Sequence, residues 1–512
     1  MTGSMIGADV DALRTLAAEF ERDADRLSVL ADGLGASLQS VHWAGADAAR
    51  AREAWRTEGQ PRIRAAADRL RQAAADLRWQ AEEQGAASAA ATASALAAGA
   101  MGALGAAGAV GHAGTAESGA VADLRAAADS GSPATVAAAW RKLSASERES
   151  LIRDDAGLVG NLDGVPASAR DAANRARLDP ERAALEEQRK ELVAAKAGKA
   201  ELAAVEAKIR SIDAIKETLE LSDRHLLTLD LTQERAMAAV AIGDVDTAQN
   251  VVVFTPGLNS TVDGALARHD NDMRLVRQEC LMSAPRSTTA TVTWIGYQAP
   301  QSTADSLTDP HKSVVTDAAA HTGGHQLAQF VSGLDAARET DAHITALGHS
   351  YGSTTTAAAA LELSRDGSTP IDDLVLFGSP GILTNDAADF GLDGGGTYVM
   401  EADRDPVADA NAFGGDPQDA DGVTNLAAWD SRGHSQYLSA NGQNNYGDLM
   451  SRGNIAAVAT GHPENAIEQP GGNHGSGDAA RKAAPGLLGL AGPAGAVTGA
   501  AVGLNDFIRG RH

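Results

Sequence analysis

Between residues 250 and 406 five short runs, "NVVVFTPGLNS", "TATVTWIGYQAP", "AHITALGHS", "DDLVLFGSPG" and "GTYVMEADRDP", alternate with segments of helical pattern such as "GGHQLAQFVSGLDAARE" and "GSTTTAAAALELSRD". Each run is rich in Val, Ile, Leu or Thr and stops at glycine, proline or polar residues, as buried strands do. Strands separated by helices need crossover connections, and these produce a mostly parallel sheet covered on both faces. The expected class is therefore α/β. Ligands of such sheets sit beyond the carboxyl ends of the strands, where these turns gather.

One of those turns carries chemistry. "HITALGHSYGSTTT" places Ser350 at the end of a strand, bracketed by Gly348 and Gly352, and passes at once into an alanine-rich helix. With 54 glycines in 512 residues the GxSxG letters alone are weak, and their place between strand and helix is what gives them weight. The turn resembles the nucleophile elbow of α/β-hydrolases, in which the glycines let the turn close and leave the serine exposed.

A serine hydroxyl needs a base, and the base needs an orienting carboxylate. The resemblance implies the order nucleophile, acid, histidine. His434 in "SRGHSQYL" is the expected base, with His462 in reserve. "VMEADRDPVAD" offers two acids: Asp405, which precedes proline at the start of a turn, and Asp403 as the alternative. The oxyanion formed in acyl transfer takes backbone donors, expected from Tyr351 after the nucleophile and from Leu258 in "TPGLNS", with Asn259 as a substitute for Leu258. His349, inside the elbow, is read as a packing residue.

"FTPGLNST", "TWIGYQAP", "GHSYGSTTT", "FGSPG", "DRDPVA" and "GHSQY" occur in this order, and together they resemble an actinobacterial family of α/β-hydrolase domains. The likeness covers roughly residues 225 to 460, and "GNLDGVPASARDAANRARL" is similar to the segment that often precedes such domains. It implies the α/β-hydrolase fold and a Ser-His-Asp triad and says little about substrate; the expected activity is a serine hydrolase acting on an ester or lipid, with no cofactor or metal.

The amino-terminal part reads as all-α. Leu13, Leu16, Phe20, Leu27, Leu30 and Leu34 form one apolar stripe, and Trp55, Ile63, Leu70 and Leu77 belong to a second, with Trp43, Ala44 and Gly45 at the bend between them. A WxG turn in a helical hairpin resembles the WXG family of type VII secretion substrates. That family carries a Tyr-x-x-x-Asp/Glu signal after the second helix; here Trp79 and Glu83 hold that spacing. The expected organisation is a hairpin over 1–86, an Ala/Gly linker over 87–120, a helical region with a coiled-coil-like segment over 121–224, the hydrolase domain over 225–465 and a Gly/Ala tail over 466–512.

Charge limits the partners. With 68 acids against 43 bases the net charge is −25, which repels nucleic acid and anionic membrane surfaces. The single cysteine, Cys280, excludes an internal disulfide and a cysteine metal cluster. The uncharged stretches 84–116 and 483–505 are too poor in large apolar side chains for stable membrane insertion. The opening "MTGSMIGADVDALRTLAAEF" has acids where the core of a secretory signal would lie. Export by the type VII machinery is the expectation, with a cytoplasmic location the alternative. A second functional class stands beside the hydrolase: an inert hydrolase-like scaffold that recruits helical partner proteins through its amino-terminal region.

Overall fold

The computed structural model describes residues 118–469, except 303–311, 368, 393–394, 403–404, 409–410, 429–430, 432 and 439–446, together with Arg52, Arg56 and Gln60. The WXG-like turn, its Trp79–Glu83 spacing and the tail beyond residue 469 lie outside the described residues.

Eight strands form one sheet: β1 Arg224–Asp230, β2 Met237–Ile242, β3 Asn250–Thr255, β4 Thr289–Ile295, β5 His343–His349, β6 Asp373–Phe377, β7 Thr397–Met400 and β8 Val423–Leu426. Their order is β1-β2-β4-β3-β5-β6-β7-β8. β2 is antiparallel to both β1 and β4, and every pairing from β4 to β8 is parallel. The carboxyl ends of β3, β5, β6, β7 and β8 therefore share one edge.

β2, β3, β4, β6 and β7 are short and buried throughout because both faces are covered. Val251 and Val253 of β3 join one core with Trp294, Leu327, Phe330 and Val331. Val252 and Phe254, pointing the other way, join a second core with Met273, Val276 and Ile455. Helices α7 Val262–Ser283 and α10 Gly447–Ala459 lie on this second face, and α8 Ala318–Ala337 and α9 Tyr351–Arg365 on the first. Ala357, Ala359 and Ala360 are fully buried, so small side chains allow close packing in a chain with only 4% aromatics. Among the described residues no helix is long and apolar enough to cross a membrane.

Of the helices before the sheet, the last two share its core. Four short helices, α1 Gly119–Ser130, α2 Pro133–Lys142, α3 Ala145–Asp154 and α4 Ala156–Asn161, gather around Leu124, Val136, Trp140 and Val159. They lead into two long ones, α5 Ala167–Ala194 and α6 Lys199–Leu219. Leu178, Leu185, Ile209, Ile212 and Ile215 of this pair cluster with Leu226 and Leu229 of β1 and Val240 of β2. Of the two arrangements their near-heptad spacing allows, a helical pair or a short coiled coil, the structure has the pair, laid on the sheet. Polar contacts fasten the join: Asp246 accepts from the N–H groups of Ala167 (2.7 Å) and Ser168 (2.9 Å) at the amino end of α5. Arg170, 1% exposed, meets Asp163 at 2.8 Å and donates to Thr228 at 3.2 Å. A boundary at residue 225 would separate elements of one compact unit.

Candidate active site

Ser350 follows β5 directly, at φ 57° and ψ −135°, a backbone conformation that costs a non-glycine residue of the order of 1–3 kcal/mol. The surroundings enforce it. The Ser350 N–H donates to the carbonyl of Phe377 on β6 at 3.0 Å. A Cβ on Gly352 would stand 2.1 Å from the carbonyl oxygen of Thr255, and one on Gly348 2.6 Å from the Cα of Ser353. Both contacts are with backbone, so neither position accepts a side chain without moving a strand end.

Two further loops converge on this serine because β7 and β8 end on the same edge as β5. The loop after β7 carries Asp405, whose Oδ1 accepts from the N–H groups of Val407 (3.0 Å) and Ala408 (3.3 Å) and so fixes its own turn. The loop after β8 carries His434. Its Nδ1 lies 2.9 Å from Asp405 Oδ1 and 3.1 Å from Oδ2, and its Nε2 lies 2.7 Å from Ser350 Oγ. A carboxylate only accepts, so the His434 proton sits on Nδ1 and Nε2 is left to accept from the serine.

Asp405 is fully buried. Burial alone would raise its pKa, but the charge of His434 and hydrogen bonds from His434, Tyr437 and the Val407 N–H outweigh it and hold the carboxyl at about 2. Tyr437 donates to Asp405 Oδ2 at 2.7 Å and accepts from the Ala402 N–H at 2.7 Å. Burial, reinforced by the Asp405 charge, keeps that phenol protonated by raising its pKa far above the ordinary value. Sequence reasoning missed Tyr437, although it stands in the quoted "GHSQY", three residues after the histidine.

The loop after β3 presses against the elbow. A Cβ on Gly257 would be 2.8 Å from both the Tyr351 nitrogen and the Ser350 Cβ. The N–H groups of Tyr351 and of Leu258, the residue after Gly257, have no hydrogen-bond partner among the described residues. Asn259 donates its N–H to Pro300 at 2.9 Å, which removes it as the substitute donor.

The remaining candidates lie elsewhere or outside the description. His462 sits on an exposed turn, 3.2 Å from Glu464 and away from Ser350. Asp403 falls outside the described residues. Cys280 is buried in the second core, and burial pushes its thiol up to about 12, out of reach of ionisation near neutral pH. Ser379 accepts from Ser353 at 2.7 Å, tying the turn after β6 to the first turn of α9.

A family model described as alpha/beta hydrolase matches residues 232–415. The chain is 34% identical over 297 residues to the uncharacterized protein Rv2079 of Mycobacterium tuberculosis, covering 52% of this chain and 43% of that protein. It is 32% identical over 234 residues to the uncharacterized protein Mb0988c of Mycobacterium bovis, covering 43% of this chain and 83% of that one. The chain thus spans less than half the length of Rv2079. Among solved structures, an esterase of Pyrobaculum calidifontis is similar at 15% identity and a TM-score of 0.30, over 54% of this chain and 97% of that chain. The identity across most of the Mycobacterium bovis protein and the alpha/beta hydrolase match over residues 232–415 carry one conclusion: the chain belongs with these mycobacterial proteins to a family that carries an alpha/beta hydrolase domain.

Proposed function

We propose that the protein is a serine hydrolase that cleaves a carboxylic ester or related acyl substrate through an acyl-enzyme. The observation that carries this reading is the unbroken run of hydrogen bonds from Ser350 through His434 to Asp405, at 2.7 Å and 2.9 Å. In the first half-reaction His434 Nε2 takes the Ser350 proton as Oγ attacks the acyl carbon. The imidazolium so formed lies against a carboxylate that stays ionised, which lowers the cost of charging the ring. The N–H groups of Tyr351 and Leu258 supply two donors to the tetrahedral oxyanion, the interaction that typically contributes most to acyl transfer. His434 then returns its proton to the departing alcohol. In the second half-reaction the same histidine activates water against the Ser350 ester.

A fluorophosphonate probe tests the proposal: wild type should label at one site, and Ser350→Ala should not. Equal labelling of the two would move the nucleophile elsewhere. Export by a type VII route belongs to the same proposal and is supported by the Trp43-Ala44-Gly45 motif in the sequence. The double variant Trp43→Ala, Gly45→Arg should stay inside the producing cell with its esterase activity intact, and normal secretion would reject that route.

A further inference from the structure

His349, the residue before the nucleophile, reads from sequence as packing. Its polar contact assigns it more. The part-buried ring places Nε2 2.8 Å from the main-chain carbonyl oxygen of His434. A carbonyl only accepts, so His349 carries its proton on Nε2 and donates it there. The same ring lies between two others, stacked on Phe377 at 4.9 Å and on the His434 imidazole at 4.8 Å, with ring planes 24° and 28° apart. Tyr437 closes the side at 5.8 Å.

We infer that His349 is a positioning residue for His434: its Nε2–H fixes the His434 peptide while its face supports the His434 ring, so the base is held between Ser350 and Asp405. This inference rests on the reading of His434 as the base. The physical need for such an anchor is plain from the fold. His434 stands in a loop beyond the four-residue strand β8, whereas Ser350 and His349 leave a seven-residue strand at the centre of the sheet. A hydrogen bond from β5 to the His434 backbone transfers the rigidity of the central strand to that loop. The serine and the anchor of its base are then consecutive residues, so their spacing is set by the elbow itself.

The anchor must stay neutral, because a second cation stacked on His434 would oppose the imidazolium formed in the reaction. Burial, with the His434 charge adding to it, pushes His349 down to about 3, so the ring remains an uncharged donor throughout the range in which a histidine base works.

Two variants separate the donor from the ring. His349→Phe keeps an aromatic face and removes the donor; His349→Gln keeps a donor and removes the ring. The probe is a fluorophosphonate, followed as a labelling rate constant from pH 5 to 9, with kcat and KM for a p-nitrophenyl acetate substrate alongside. Loss of one well-placed hydrogen bond is worth about a tenfold change. His349→Phe should therefore label about tenfold more slowly and lose kcat with KM held, and His349→Gln should recover to within about threefold of wild type. Wild-type rates in His349→Phe, or a folded His349→Gln no faster than His349→Phe, would overturn the inference. Nitrogen-15 NMR of the wild type gives a reading that needs no variant: His349 should be the neutral Nε2–H tautomer at pH 5, and an Nδ1–H tautomer or a charged ring there would also overturn it. Failure of the hydrolase proposal looks different, since wild type would then show no labelling that depends on Ser350, and the NMR result would still decide the role of His349.

Discussion

Gly378 and Asp405 meet so closely that a Cβ on the glycine would lie 2.9 Å from Oδ2 of the carboxylate. The same carbon would be 3.1 Å from Tyr437 Cε2 and 3.3 Å from His434 Cε1. Gly378 also has φ +55°, in the left-handed region. The missing side chain is what lets acid, tyrosine and histidine converge above β6. Gly378→Ala should cost about 1–2 kcal/mol from the backbone alone, and the crowding should displace Asp405 or His434. The expected result is a lower unfolding midpoint and a kcat reduced by about tenfold or more, since misplacement of a reacting group by about 1 Å can cost a hundredfold. Unchanged kcat in a folded Gly378→Ala protein would mean that the three side chains are not packed as described.

Tyr437→Phe removes a donor to Asp405 and strands the Ala402 N–H. Leaving a buried polar group without its partner costs about 1–3 kcal/mol, which an unfolding midpoint at pH 7 will register. Asp405 adds a pH signature. Its folded value of about 2 lies below the ordinary 3.8, so its ionisation stabilises the fold above pH 3.8, and that contribution is lost as pH falls through about 2. Without the phenol the folded value rises toward 3.8, and the protein should lose less stability between pH 4 and pH 2 than wild type loses. Parallel acid curves for the two proteins would show that the phenol does not support the carboxylate.

The sequence disclosed β3 to β7, because buried strands between helices appear as short β-branched runs ending in turn residues. It concealed the other three for separate reasons. "MAAVAI" of β2 is alanine-rich and reads as helix until its partners β1 and β4 are known. "RHLLTLD" of β1 carries polar residues at both ends and a register shift between Leu226 and Thr228. β8 has four residues, three of them only part-buried. Ser350, Asp405 and His434 could be chosen from order and turn chemistry, and they lie within hydrogen-bond reach of one another. Tyr437 and His349 could not, since their contacts depend on how the loop after β8 folds back over β5 and β7, which no local pattern records. The helical pair α5–α6 was legible in its near-heptad spacing but its seat on the sheet was not, because the spacing says that a stripe is buried, not what buries it.

Ser350 offers a test of elbow strain that is separate from chemistry. At φ 57° the position favours glycine over alanine by about 1 kcal/mol, the reverse of the ordinary helix and strand preference. Ser350→Gly should therefore melt above Ser350→Ala, while both lose about 10³-fold or more in ester turnover. A lower midpoint for the glycine variant would mean that the left-handed turn relaxes when the serine is removed.

His349 also fixes a stability slope. Its folded value of about 3 lies below the ordinary 6.5 because burial, and then the His434 charge, disfavour its protonation. Between about pH 6.5 and 3 the unfolded chain binds a proton at this residue that the folded chain excludes, so stability is full above 6.5 and falls as pH drops through the window. One excluded proton corresponds to about 1.4 kcal/mol per pH unit. His269, whose value burial also lowers, is present in wild type and variant alike and cancels in the difference. Asp405 releases its contribution below 3.8 and stays outside the interval if denaturation is followed at pH 4.5, 5 and 5.5. His349→Gln should accordingly show a shallower loss of unfolding free energy across those three points, by close to one proton, with urea m-values unchanged. Superimposable slopes would mean that the folded protein already accommodates a charged His349, and a neutral anchor beneath the His434 ring would then be the wrong description of this site.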